Sequence, residues 1–197
     1  MGTPDFSTLS RENIVDFIAD IFARRGAEEY LGEDVSISEH MYQTAQLAEE
    51  AGASEELIVA ALLHDIGHFT NEFPDNAAEL GIDSHHDRAG AAVLAPFFPS
   101  LVTDCVRHHV SAKRYLCTVD PGYFDKLSDA SVLSLKLQGG PMSEKSAAKF
   151  AENQDVEAIV KVRKWDDIGK VPGKKTESFD YFAPMIQRVV DSRRATD

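Results

Sequence analysis

Cysteine is scarce in this chain. Of 197 residues only Cys105 and Cys117 carry thiols, and they form no C-x-x-C pair. Two thiols cannot staple a secreted scaffold, so both read as reduced cysteines of a cytoplasmic protein. Long apolar runs are missing as well. The longest, residues 57–63, falls far short of the roughly 20 residues of a membrane span. The opening segment MGTPDFSTLSREN has no basic stretch followed by an apolar one, so no signal peptide is expected. Basic charge is in deficit, with 20 Lys and Arg against 33 Asp and Glu, a formal charge of −13. That argues against a non-specific nucleic-acid binder and against docking on an anionic membrane. It leaves room for a small anionic ligand, because a few cations in one pocket outweigh a distant field. No obligate protein partner is evident. Strand-like alternation, repeats and low-complexity linkers are also absent.

What is present is helical periodicity. Ile14, Phe17, Ile18, Ile21 and Phe22 recur at helical spacing, with Ser10 as an N-cap and Gly26 as a stop. Ser36 and Glu39 form a capping box before a helix that ends near Gly52. Ser54 caps a third helix, and Glu55 and Glu56 suit its positive first turn. Its body, LIVAALLHDIGHF, is apolar on all sides until His64, which places it mid-core. Further helices are predicted over 84–94, 100–110, 128–137, 143–152, 155–166 and 179–190, with loops over 71–83, 118–125 and 169–178. The expectation is one all-α domain spanning 1–197.

Seven histidines stand out: His40, His64, His68, His85, His86, His108 and His109. An ionised Asp65 beside His64, at the end of a buried helix, is costly unless a cation compensates its desolvation. Imidazole with carboxylate suits iron, zinc or manganese. One His-Asp pair alone is more simply a hydrogen-bonded helix end. Here His40 lies mid-helix with Thr44 and Leu47 on its side, so it faces inward. His68 shares the His64 face if the helical turn persists. Two adjacent histidine pairs lie near helix ends, and Trp165–Asp166 closes the series. Inward histidines on several helices, with buried carboxylates, describe a metal site inside a bundle.

His40, His64–Asp65 and a distant Asp166 resemble the HD-domain superfamily of metal-dependent phosphohydrolases. The wider pattern is closer to its mixed-valent diiron oxygenases, and closest to the phosphonate-cleaving branch. The matching pieces are EYLGE at 29–33, LLHDIGH at 62–68, HHVSAKRYL at 108–116, LSDAS at 127–131, QGGPM at 138–142 and WD at 165–166. Together they cover about 28–173. The resemblance implies an HD-domain helical bundle with two iron ions in the Fe(II)/Fe(III) state. It assigns His40, His64, Asp65 and Asp166 to one iron. Asp65 bridges to the other, which also takes His86 and His109. Lys113, four residues after His109, shares its face if the helix continues. His85 and His108 read as exposed or supporting residues.

The same resemblance makes His68, Lys113, Ser131 and Arg163 an anion-binding set, with Gln138 a weaker member that can equally cap a helix. Arg163 precedes Asp166 by three residues and so shares its face on a helix. Tyr30 and Glu33 match a loop that closes the active site. The tyrosine holds an iron position until substrate displaces it, and Glu33 faces the substrate's ammonium. The implied reaction is O2-dependent cleavage of a carbon–phosphorus bond in a small 1-hydroxyphosphonate. The preferred substrate is (R)-1-hydroxy-2-(trimethylammonio)ethylphosphonate, giving glycine betaine and phosphate. The amino analogue, giving glycine, is the alternative, since Tyr30, Phe69, Phe73, Glu33 and Asp34 can serve either cation. A phosphohydrolase would use the same His40, His64, Asp65 and Asp166 set, but often reads HDIGK where this chain has His68. A metal-free binding module would have lost the ligands that are all present here.

Overall fold

The structure is a computed structural model that describes residues 6–30, 32–70 and 84–193. Among the described residues lie ten α-helices: α1 (Ile14–Arg25), α2 (Ile37–Glu50), α3 (Glu55–Leu63), α4 (Gly67–Thr70), α5 (His86–Leu94), α6 (Ser100–Val119), α7 (Asp129–Leu137), α8 (Glu144–Ala151), α9 (Val156–Ile168) and α10 (Phe179–Ser192). The described residues hold no strand, only an isolated bridge between Glu29 and Ser36. None of these helices is long and apolar enough to cross a membrane. The all-α expectation holds.

α3 organises the bundle. Every residue from Leu57 to Leu63 is buried. A helix without a polar face has to be surrounded, and α2, α6, α9 and α10 pack against it. α10 lends Phe182, Ile186 and Val190, and α1 covers α10 with Ile14 and Ile18. α5 packs on α6 and on the short α4.

Side chains close four helix starts, those of α2 and α3 as the sequence predicts. Ser36 and Glu39 make both bonds of the capping box. Ser54, Ser128 and Ser143 each accept a backbone N–H from the first turn of α3, α7 and α8.

Four expectations change. Ser10 is not the N-cap of α1; Asn13 holds that position. The Asn13 carboxamide instead accepts the Ser10 N–H at 2.7 Å, a local turn that delays the helix. The helix of α3 does not run on to His68. It stops at Leu63, and 64–66 form a turn in which Asp65 O receives the His68 N–H. α6 runs to Val119 rather than 110, so His109 and Lys113 do share one helix. The loop expected over 118–125 therefore begins later and contains a 3-10 turn at Phe124–Lys126. Residues 169–178 form the predicted loop, and the predicted loop over 71–83, with Phe73, lies outside the described residues.

Candidate metal centre

Five elements converge on one buried point. His40 comes from α2, His64 and Asp65 from the turn that ends α3, His86 from the first turn of α5, His109 from α6 and Asp166 from α9. All six side chains are buried. The tight approach of α4 to α5 sets His86: a Cβ on Gly67 would lie 1.8 Å from the His86 carbonyl oxygen. His85 enters α5 in the left-handed region at φ 49° and stays exposed, while its neighbour turns inward. His108 lies edge-on to Phe150, away from the cluster.

Asp65 divides the site in two. Its Oδ2 faces His64 Nε2 at 3.3 Å and His40 Nε2 at 3.6 Å. Its Oδ1 faces His109 Nε2 at 3.2 Å and His86 Nε2 at 3.3 Å. Asp166 joins the first side, with Oδ1 3.4 Å from His40 Nε2 and Oδ2 3.8 Å from His64 Nε2. His68 stands on the second side but farther out, with Nε2 3.9 Å from Asp65 Oδ1 and its ring stacked on His86. The sets His40–His64–Asp65 and Asp65–His68–His86 each keep their ligand atoms within 4.8 Å.

The donor chemistry fits bound cations. His40 Nδ1 meets Gly169 O at 2.9 Å, and His64 and His109 Nδ1 meet Ala61 O and Val106 O, both at 2.8 Å. A carbonyl accepts, so each Nδ1 carries the proton and each Nε2 turns a lone pair inward. Yet His40 and His64 bring their Nε2 atoms within 3.1 Å, and His86 and His109 within 3.0 Å. The two lone pairs of His40 and His64 at that separation call for a positive centre between them. Asp166 Oδ1 is buried without a hydrogen-bond partner, which adds a free ligand atom.

The electrostatics agree. Burial opposes ionisation of Asp65, but His64 and the donors around it hold its carboxyl well below the usual range. Burial lowers His64, yet Asp65 and Asp166 outweigh it and raise the imidazole to about 9, so this pocket favours positive charge. Burial, with His86 adding to it, pushes His68 down to about 3 and keeps it neutral. Burial and then Asp65 raise Tyr30 well above its ordinary value. Its phenol stays protonated, donates to Asp65 Oδ2 at 2.7 Å and stacks on His40.

The cations predicted for an anion lie beside this cluster with partners of their own. Arg163 pairs with Asp166 at 2.7 Å, also reaches Asp167, and donates through Nε to the Tyr123 hydroxyl. Lys113 is buried, and burial first and Arg163 second lower its ammonium to about 7; its Nζ donates to Ser134 Oγ at 2.7 Å. Ser131 Oγ accepts from Lys170 Nζ at 3.1 Å. Glu33 accepts from Ser128 Oγ at 2.6 Å and from Lys170 Nζ at 2.9 Å. Gln138 caps the end of α7, its Oε1 buried without a partner.

Lys170, Ser134, Tyr123 and Asp167 escaped the sequence reading. Lys170 falls in a segment read only as loop, and no spacing rule reaches across a helix end. Ser134 was accessible, lying three residues after Ser131 on α7.

The HD domain family matches residues 37–161. The chain is 55% identical over 191 residues to the 1-hydroxy-2-(trimethylamino)ethyl phosphonate dioxygenase (glycine-betaine-forming) of Leisingera caerulea, covering 97% of each. It is 41% identical over 165 residues to the hydroxymethylphosphonate dioxygenase of Gimesia maris, covering 83% of this chain and 82% of that one. An uncharacterised protein of Acanthamoeba polyphaga mimivirus is 34% identical over 174 residues, covering 87% of this chain and 80% of its own.

Proposed function

The chain belongs to the HD-domain family, with phosphonate dioxygenases as relatives over most of its length, and on that premise we propose that it cleaves a carbon–phosphorus bond with O2. Its substrate is (R)-1-hydroxy-2-(trimethylammonio)ethylphosphonate, and its products are glycine betaine and phosphate. The observation that carries the reading is Asp65, whose two oxygens each face a pair of inward imidazole nitrogens. One carboxylate placed so serves two metal ions at once. The 55% identical glycine-betaine-forming relative supports the choice of substrate.

His40, His64, Asp65 and Asp166 would hold one iron, and Asp65, His86 and His109 would hold the other. The bound pair, in its Fe(II)/Fe(III) state, supplies the activation of O2 and the polarisation of the substrate hydroxyl. The chain's own residues do the rest. Arg163 neutralises and orients Asp166 through their 2.7 Å pair. Lys113 and Ser131, with the neutral His68, receive the phosphonate oxygens by charge-assisted and neutral hydrogen bonds. Arg163 already serves two carboxylates, so its contribution to the phosphonate is mainly through its field. Tyr30 covers Asp65 with a protonated phenol and keeps water from the centre until substrate displaces its hydroxyl from Asp65. Glu33 offers its carboxylate to the ammonium end. Gln138, at the end of α7 with an unpartnered Oε1, completes the substrate set.

The reaction balances without an outside reductant. The hydroxyphosphonate plus one O2 gives the carboxylate plus phosphate, a four-electron oxidation of the C–P unit. Iron-loaded, partly reduced protein should release phosphate from the trimethylammonio substrate with a higher kcat/KM than from the primary amine or from hydroxymethylphosphonate. Glycine betaine should appear in equal amount. Turnover of phosphate monoesters with none of the three phosphonates would make the protein a phosphohydrolase instead.

A further inference from the structure

Lys170 has no part in the function above, yet its ammonium occupies a prepared place. The backbone on either side is pinned. Gly169 O receives the His40 Nδ1–H, and the Gln43 carboxamide holds both the N–H and the C=O of Val171, each at 2.9 Å. From this strap Lys170 Nζ lies 5.6 Å from the centroid of the Tyr30 ring, over its face, 2.9 Å from Glu33 Oε1 and 3.1 Å from Ser131 Oγ. Both side chains of the pair are largely shielded, at 11% and 14% exposure.

An aromatic face plus a carboxylate is what recognises an organic ammonium. Resting on the phosphonate reading above, we infer that Lys170 is the internal stand-in for the substrate's cation. Its ammonium fills the subsite formed by Tyr30 and Glu33, and an incoming trimethylammonium group must displace it. The lysine thereby tempers the preference for a cation: it neutralises Glu33 while the site waits, and a cationic ligand gains Glu33 only by evicting it. The displaced ammonium, flanked by Ser131, remains close to the phosphonate, so the charge is relocated rather than exposed. The same contact ties the Tyr30–Glu33 loop to the strap after α9 and stabilises the covered state.

The test compares ligands that differ at one end. Dissociation constants are measured by calorimetry, without O2, for the trimethylammonio substrate and for hydroxymethylphosphonate, which lacks the cation. Whatever Lys170 gives the phosphonate cancels in their ratio. In Lys170→Met the preference for the cationic ligand should grow by about fivefold, as expected for loss of a shielded competing ion pair. Lys170→Arg, which keeps the charge, should retain the wild-type ratio. Tetramethylammonium, which carries only the cationic end, should also bind Lys170→Met more tightly. An unchanged ratio, with both phosphonates equally weakened, would overturn the inference and leave Lys170 a phosphonate ligand alone. If neither phosphonate binds the wild type but tetramethylammonium binds the variant more tightly, the cation subsite stands and the substrate assignment falls. Tetramethylammonium binding both proteins alike would remove the subsite.

Discussion

At the scale of residues, Asp65 joins the two halves of the site. His40 and His64 approach one of its oxygens, His86 and His109 the other. Asp65→Ala should therefore lose both ions, with metal content falling from two per chain to near none by elemental analysis. A variant that kept two would refute the bridging role. Lys113 makes a second prediction, with a defined sign. Burial lowers its ammonium from 10.5 to about 7. Between those values the unfolded chain binds more protons than the folded one, so stability rises with pH across that window and the full cost is present below pH 7. Lys113→Met should raise the melting temperature more at pH 6 than at pH 9, read by calorimetry on metal-loaded protein. Equal gains at both would contradict the burial argument. Much at this scale was legible, because an apolar helix ending in His-Asp leaves a charge that only a cation compensates. The partners of Arg163 were not. A lone arginine near an expected anion reads as a ligand, and only the fold shows that two carboxylates and a tyrosine already engage it.

Elements follow local rules until packing overrules them. The capping serines at α2 and α3 and the apolar run of α3 were read directly, since each depends on neighbours within a few residues. The end of α3 could not. Nothing in LLHDIGH forbids another turn of helix, but α5 presses on Gly67 so closely that the chain must bend there. The length of α6 is under-read by its expected end at 110: no glycine or proline interrupts it before Pro121–Gly122, and it runs to Val119. Gly67→Ala tests the crossing. Its Cβ would overlap the His86 carbonyl, forcing α5 and its imidazole away at a cost of about 1–3 kcal/mol or more. The expected result is a lower melting temperature together with weaker binding of one metal ion, the ion that uses His86. Unchanged metal affinity would show that α5 holds His86 without this contact.

The whole molecule sets a sparse group of cations inside an acidic shell. The formal charge is −13, yet Lys113, Arg163 and Lys170 gather next to the histidine–carboxylate cluster. On the proposed function, this cluster would receive a small anion that also carries a positive end, with the phosphonate toward Lys113 and Ser131 and the ammonium toward Glu33 and Tyr30. Family resemblance named this chemistry from residues scattered over most of the chain, because bundle helices bring distant ligands together without local signs of it. The most direct test is the ratio of oxygen consumed to phosphate released by iron-loaded protein acting on the trimethylammonio substrate. The account predicts one O2 for each phosphate and no release under nitrogen. Phosphate released at the same rate without oxygen would contradict it.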